Sequence, residues 1–382
     1  MKKTVALILA LCMVFALCAC GAAPAAPSST TPTSAAKETK VGIAMPTKSL
    51  ERWNRDGSYL KDQFESAGYK VELKYSNNDV TQQVNDIENL VSDGVSMLIV
   101  VAVDGESLTN VLDNADKAGI PVIAYDRLIR NTKAVDYYVS FDNYTVGVLQ
   151  GQYVIDTLKL DLKDTSKSYN IEFTAGDPAD NNAGFFFNGA YDTLKPYIDA
   201  GILKVPSGQK TFEAVATASW DTTKAMNRMQ NILASYYSSG TKLDVALCSN
   251  DSTALGVTQA IESDYAGKNQ PIITGQDGDE ANLKNIVDGK QSMTVYKAVA
   301  NEAVVTMALA KGMLNGEKPS DALAGTFDFA CAYDTKTYDN GTGVIPSYLL
   351  NPTVVTKDNI KTALVDTGYY KMGTDGYPVA VG

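Results

Sequence analysis

Asp126 and Arg127 follow directly on the apolar run Pro121 to Tyr125. A short uninterrupted apolar run reads as a strand buried on both faces. The carboxyl end of such a strand is where open α/β sheets place their ligands. A carboxylate there accepts hydrogen bonds, and a guanidinium offers a fixed fork of donors that never loses its charge. The pair suits a neutral, hydroxyl-rich ligand. It equally suits a structural ion pair at a strand end, and the two residues alone do not decide between these.

Other polar residues fall at the same kind of place. Lys48, Arg52 and Trp53 follow an apolar strand at Val41 to Met45. Asn181 and Asn182 follow a strand at Tyr169 to Phe173, and Trp220 follows one expected at Phe212 to Ala216. Asn250 follows Asp244 to Cys248, Asp277 follows Ile272 to Thr274, and Lys297 follows Met293 to Tyr296. Any one of these is also an ordinary turn, cap or core residue. Together they form a set of planar polar groups and indoles at successive strand tips, which is what binds sugar hydroxyls and packs against C–H faces.

The elements that position them alternate. Trp53, Leu60, Phe64 and Ala67 recur at helical spacing and Gly68 closes that helix. Val80, Val84, Ile87 and Val91 make a second stripe, stopping at Gly94, and Leu108 to Ala118 a third, stopping at Gly119. Strands at Val71 to Tyr75, Met97 to Val103 and Tyr137 to Phe141 separate or follow them. After Asp142 the rhythm restarts, with helices expected after Asn182, around Ala225 to Tyr236, Ala254 to Ile261 and Asn282 to Val287, and lastly Glu302 to Leu314. Repeated βα units imply parallel sheets covered by helices on both faces. Two successive series of similar size imply two similar lobes facing each other across a cleft.

The N-terminus reads as processing signal. Lys2 and Lys3 precede an apolar stretch, Val5 to Leu17, that is shorter than the ~20 residues needed to span a bilayer. Leu17-Cys18-Ala19-Cys20-Gly21 resembles the bacterial lipobox, which implies lipidation of Cys20 and a membrane tether. Residues 21–39 are rich in Ala, Pro, Ser and Thr and read as a disordered linker.

The chain of 382 residues carries a net charge of −11. Loss of Lys2 and Lys3 takes it two further, to −13. That acidity disfavours nucleic acid as a partner. The absence of histidine removes the commonest general base and zinc ligand. Of 5 cysteines only Cys248 and Cys331 lie past the signal and linker, and free thiols are expected over a disulfide. Asp277-Gly278-Asp279-Glu280 lacks the rest of a calcium-loop spacing, so no metal is expected. No phosphate-binding glycine loop is present, and no cofactor is expected.

Val41 to Ser49, Ala124 to Arg130, Ser140-Phe-Asp-Asn, Asp180-Asn-Asn-Ala, Asn250-Asp, Gly275-Gln-Asp, Thr294 to Lys297 and Val344 to Leu350 resemble, in order, segments of the bacterial multiple-sugar-binding and D-xylose-binding proteins. These are solute-binding components of sugar ABC transporters with the type I periplasmic-binding-protein fold. The resemblance spans Lys40 to Lys371. It implies two Rossmann-like lobes joined by a three-crossing hinge near Asp142, Lys297 and Ala330, with a ligand cleft between. The lobes would be residues 40–143 plus 298–330, and 144–297 plus 331–375. It assigns the sugar contacts to Lys48, Arg52, Trp53, Asp126, Arg127, Asn181, Asn182, Trp220, Asn250, Asp277 and Lys297. Its partners are a monosaccharide and a permease, and it implies a monomer. The family's arginine or histidine on the helix after Asn181 has no counterpart, because Phe185, Phe186 and Phe187 stand there. Two other functions are compatible with these residues: a sensor presenting bound sugar to a membrane kinase, and a glycosidase using Asp126 and Asp277.

Overall fold

The computed structural model describes residues 39–381. Cys20 and the linker up to residue 38 lie outside the described residues. The chain opens with β1 (Lys40–Met45), α1 (Glu51–Ser66), β2 (Lys70–Tyr75), α2 (Val80–Ser92), β3 (Met97–Val100), α3 (Thr109–Lys117), β4 (Val122–Tyr125) and β5 (Tyr137–Phe141). All five strands are parallel, in the order β5-β4-β3-β1-β2. Every residue of β3 and β4 is buried, so their unbroken apolar runs face helices on both sides. One face packs Ile87, Leu90, Leu112 and Ala115 from α2 and α3, the other Leu60 and Phe64 from α1.

After Asp142, which caps α4 (Asn143–Leu158) through the Thr145 amide, a second series begins. It runs through β6 (Tyr169–Thr174), α5 (Asn181–Asp199), β7 (Leu203–Lys204), α6 (Phe212–Val215), α7 (Thr222–Ile232), β8 (Val245–Cys248), α8 (Asp251–Asp264), β9 (Ile272–Ile273), α9 (Glu280–Val287) and β10 (Met293–Tyr296). The second sheet is parallel, in the order β7-β6-β8-β9. Helices α4 and α5 meet backbone to backbone. A Cβ on Gly147 would sit 2.0 Å from the Phe186 carbonyl, and one on Gly189 2.1 Å from the Tyr144 carbonyl. Only glycine allows that approach.

The chain then returns. In α10 (Val299–Leu314), Ala303, Val305 and Leu309 join the core of the first sheet, and α11 (Asp321–Ala324) is a short turn beyond it. Two expectations are corrected here. Residues from Cys331 were expected in the second lobe. Instead β11 (Cys331–Asp334) and β12 (Ser347–Leu350) extend the first sheet, with β12 parallel to β5 and β11 antiparallel to β12. The last crossing therefore lies between Leu350 and Thr353, not near Ala330, and β13 (Thr353–Thr356) pairs with β10. The cause is long-range pairing: β12 takes the open edge of β5, which no local pattern announces. The strand expected at Phe212 to Ala216 is also wrong. Thr211 caps a helical turn there through the Ala214 amide, and the β6 edge is taken by β7. The chain ends in the hairpin β14 (Tyr370–Met372) and β15 (Pro378–Ala380). Cys248 and Cys331 are free thiols.

Candidate functional site

The tips of the strands converge on a space of about 340 Å³, part of it open to solvent, walled by residues of both sheets' strand ends and helix starts. Leu50, Arg52, Trp53, Asp126 and Arg127 come from the first body, Asp180, Phe186, Trp220, Asn250, Ser252, Gln276 and Asp277 from the second, and Lys297 from the crossing.

Arg52 is the electrostatic centre. It sits in the first turn of α1, is 5% exposed and is fixed by Asp56 one turn on, at 2.9 Å. Its Nη2 lies 3.0 Å from Asp126 Oδ2, and its Nη1 3.4 Å from Asp277 Oδ1 on the second body. Glu302, fully buried at the start of α10, lies 3.8 Å away. Burial works against the Arg52 charge, but Asp126, Asp56, Asp277 and Glu302 outweigh it and push its pKa well up. Burial also drives the Glu302 carboxyl well above its usual range.

Asp126 sits at φ 57°, in the left-handed region. Its carbonyl accepts from the Tyr138 hydroxyl at 2.5 Å, the Ser140 hydroxyl at 2.8 Å and Asn182 Nδ2 at 2.7 Å, so the strained backbone is held from three directions. Its carboxylate meets Lys297 Nζ at 2.6 Å. Burial would raise its pKa, but Arg52, Lys297 and Arg127 prevail and hold it at about 2. Arg127 donates to the Ala102 carbonyl at 3.0 Å and pairs with Asp180 at 3.2 Å.

Asp277 has the opposite balance. Burial pushes its carboxyl up to about 6, against the pull of Arg52 and Lys297. Asn250 caps α8 through the Thr253 amide and turns its Nδ2 to Asp277 Oδ2 at 3.4 Å. Gln276 donates to the Ser249 carbonyl, while its Oε1 is buried with no protein partner. The indole nitrogen of Trp53 is buried without a partner as well.

Two indoles form apolar walls. Trp53 carries the guanidinium of Arg52 at 4.2 Å from its ring centroid and that of Arg127 at 5.1 Å. Trp220, at φ 54°, lies against Phe186 with ring centroids 6.1 Å apart. Its ring rests on the backbone of Gly176, where a Cβ would come within 1.9 Å of it.

Eight residues singled out in the sequence are thus brought together: Arg52, Trp53, Asp126, Arg127, Trp220, Asn250, Asp277 and Lys297. Three are not. Lys48 is exposed, with its ammonium 4.8 Å above the Tyr75 ring, outside the cavity. Asn181 is half-buried at the start of α5 and does not line the cavity. Asn182 is fully buried, but it is spent on the Asp126 backbone and the Tyr138 hydroxyl. Sequence reasoning missed Leu50, Asp180, Phe186, Ser252 and Gln276 as wall residues. Asp180 and Gln276 stand beside residues that were chosen, so their position after a strand was the available signal. Phe186 stands in a run of three phenylalanines, which carries no sign of which one reaches the cavity.

The sequence profile described as periplasmic binding protein domain matches residues 41–318. The multiple sugar-binding periplasmic receptor ChvE of Rhizobium radiobacter is 43% identical over 89% of this chain and 93% of its own. The D-xylose-binding periplasmic protein of Escherichia coli is 36% identical over 88% and 92%. The crystal structure of an ABC transporter solute binding protein from Clostridium phytofermentans, with bound β-D-glucose, superposes with a TM-score of 0.82 at 50% identity, covering 88% of this chain and 99% of that one.

Proposed function

The chain belongs to the periplasmic binding protein family, and from that premise we propose that it captures one neutral aldose in the cavity at Arg52, Asp126 and Asp277. It is the extracytoplasmic sugar-binding component of an ABC transporter, a binding protein and not an enzyme. Glucose or xylose is the ligand we favour, since relatives that bind them are similar along nearly the whole chain. The lobes open and close about the crossings after Asp142, at Lys297 and between Leu350 and Thr353. Sugar contacts both at once and so stabilises the closed form that a permease recognises. Cys20 carries the lipid that keeps the protein at the membrane. Among the described residues no helix is long and apolar enough to cross a membrane.

The lining supports this reading most directly. Three cationic and three anionic side chains line the space, so charge-assisted hydrogen bonds are available to hydroxyls while a charged ligand gains no net partner. The unpaired indole N–H of Trp53 and the unpaired Gln276 Oε1 are a donor and an acceptor that a hydroxyl would satisfy. The two indoles offer faces for sugar C–H patches.

A thermal-shift screen of residues 38–382, which form one compact unit, tests it. The panel is xylose, arabinose, ribose, glucose, galactose, fucose and glucuronate, applied after denaturing and refolding to strip any carried sugar. Ligand at about a hundred times its Kd adds ~2.7 kcal/mol of stability. A shift with a neutral aldose is expected. No shift with any of them would overturn the reading.

A further inference from the structure

Asp277 is held in an unusual backbone. Its φ is 105°, in a region L-residues rarely adopt, and Gly278 follows at φ 74°. A turn of this kind persists only when its surroundings over-determine it. On its own side the turn's amides donate to the Val295 carbonyl and to the buried Asp251 carboxylate, at 3.0 Å from Asp277, 2.8 Å from Gly278 and 3.0 Å from Asp279; its carbonyls are held from behind, outside the cavity. Arg55, one turn after Arg52 on α1, donates from Nη2 to the Asp277 carbonyl at 3.0 Å. The same nitrogen lies 3.3 Å from Asp279 Oδ1. The Tyr370 hydroxyl, on the C-terminal hairpin, donates to the Gly278 carbonyl at 2.5 Å. Neither Arg55 nor Tyr370 lines the cavity. Both are buried, Arg55 at 8% exposure and Tyr370 at 2%, and the guanidinium sits 5.9 Å from the Tyr370 ring centroid.

These contacts also cross between the two bodies. Glu51 on α1 holds Arg55 Nη1 at 2.5 Å and accepts from the Glu280 amide at the start of α9 at 3.2 Å. The Tyr59 hydroxyl, one turn further along α1, donates to the Val381 carbonyl at 2.5 Å. One face of α1 therefore grips the turn and the hairpin behind it, while Arg52 enters the cavity.

We propose that Arg55 and Tyr370 are positioning residues for sugar binding: they hold the Asp277–Gly278 turn so that the Asp277 carboxylate faces the cavity. Arg55 reaches from the opposite body and makes that hold complete only when the cleft is closed. Tyr370 belongs to the turn's own side and holds it in either state. The proposal rests on the reading of Asp277 as a sugar contact. It extends the binding machinery to the C-terminal hairpin of β14 and β15.

The test is surface plasmon resonance or stopped-flow binding of glucose and xylose to the protein and its Arg55→Ala, Arg55→Lys and Tyr370→Phe variants. Circular dichroism and thermal midpoints check folding. Arg55→Ala is expected to raise Kd by roughly ten-fold or more, mostly through faster dissociation. Arg55→Lys keeps the charge but loses the fork, so it should fall between. Tyr370→Phe should cost several-fold, through both rates. Introduced into Asp277→Asn, Arg55→Ala should lose most of its effect, since the group it positions is already blunted. An unchanged Kd, or an effect undiminished in the Asp277→Asn background, overturns the positioning role. If Arg55→Ala does not fold, Tyr370→Phe decides by the same cycle. A wild-type protein that binds no aldose would instead overturn the sugar-receptor reading, and this inference with it.

Discussion

The Lys297 ammonium lies 2.6 Å from the Asp126 carboxylate, although 171 residues separate them in the chain. Asp126 ends β4, and Lys297 is the crossing between β10 and α10. The pair ties the tip of the first sheet to the crossing that leads into α10. Lys297 is 1% exposed, its ammonium 5.0 Å from the Phe141 ring centroid and 5.7 Å from that of Phe186, so its charge has few alternatives to Asp126.

Removing one partner should therefore cost stability as well as binding. Asp126→Ala leaves a buried ammonium uncompensated, and a loss of about 3–5 kcal/mol in urea unfolding is expected. Asp126→Ala combined with Lys297→Met should recover much of that stability and none of the sugar affinity. Recovery of both would mean that Asp126 serves only the fold.

The carboxyls predict a pH profile. Asp277 and Asp279 are raised to about 6, chiefly by burial. Each binds its proton more tightly folded than unfolded, so the stability it contributes is present below about pH 4 and is lost as pH rises through 6. Asp126, held at about 2 against its burial by Arg52 and Lys297, acts oppositely, but its loss begins only as pH falls below about 4. The thermal midpoint of the sugar-free protein should thus climb as pH drops from 7.5 to 5. Asp277→Asn should flatten that climb. A midpoint that falls over this interval contradicts the assignment.

Gly176 gives a test of the Trp220 wall. An alanine Cβ there would enter the indole plane at 1.9 Å, and the ring must move. Gly176→Ala is expected to weaken sugar binding by at least ~10-fold, comparably to Trp220→Ala. Wild-type affinity in both would remove Trp220 from the site.

Much of the fold was legible because each buried strand is an apolar run and each helix an apolar stripe. Asp126, Asn250 and Asp277 were legible for the same reason: each stands just past such a run. What the pattern could not carry was direction and partner. Lys48 follows β1 as regularly as Asp126 follows β4, but its side chain turns outward onto Tyr75. Asn182 was expected to contact the sugar, yet it faces the Asp126 backbone instead of the cavity. Phe186 was hidden in a run whose other members are Phe185, packed on Tyr338, and Phe187, in the core of the second sheet. The strands β11 and β12 chose the first sheet through an edge on β5, some two hundred residues earlier in the chain.

Those corrections yield a contrast. Lys48→Ala and Asn181→Ala should leave sugar affinity within about two-fold of wild type, as exposed or half-buried sites away from the cavity usually do. Asn182→Ala should weaken it several-fold by releasing the Asp126 carbonyl. Calorimetric titration of the three variants checks this, and a large loss in Lys48→Ala would return that residue to the site.

The most direct test of the central claim is isothermal titration of refolded, sugar-free protein with D-glucose and D-xylose, alongside Asp126→Ala. One site per chain, a Kd in the micromolar range or below for at least one of these sugars, and loss of that heat in Asp126→Ala are the expected results. Absence of binding to both sugars, or binding that Asp126→Ala leaves intact, would contradict it.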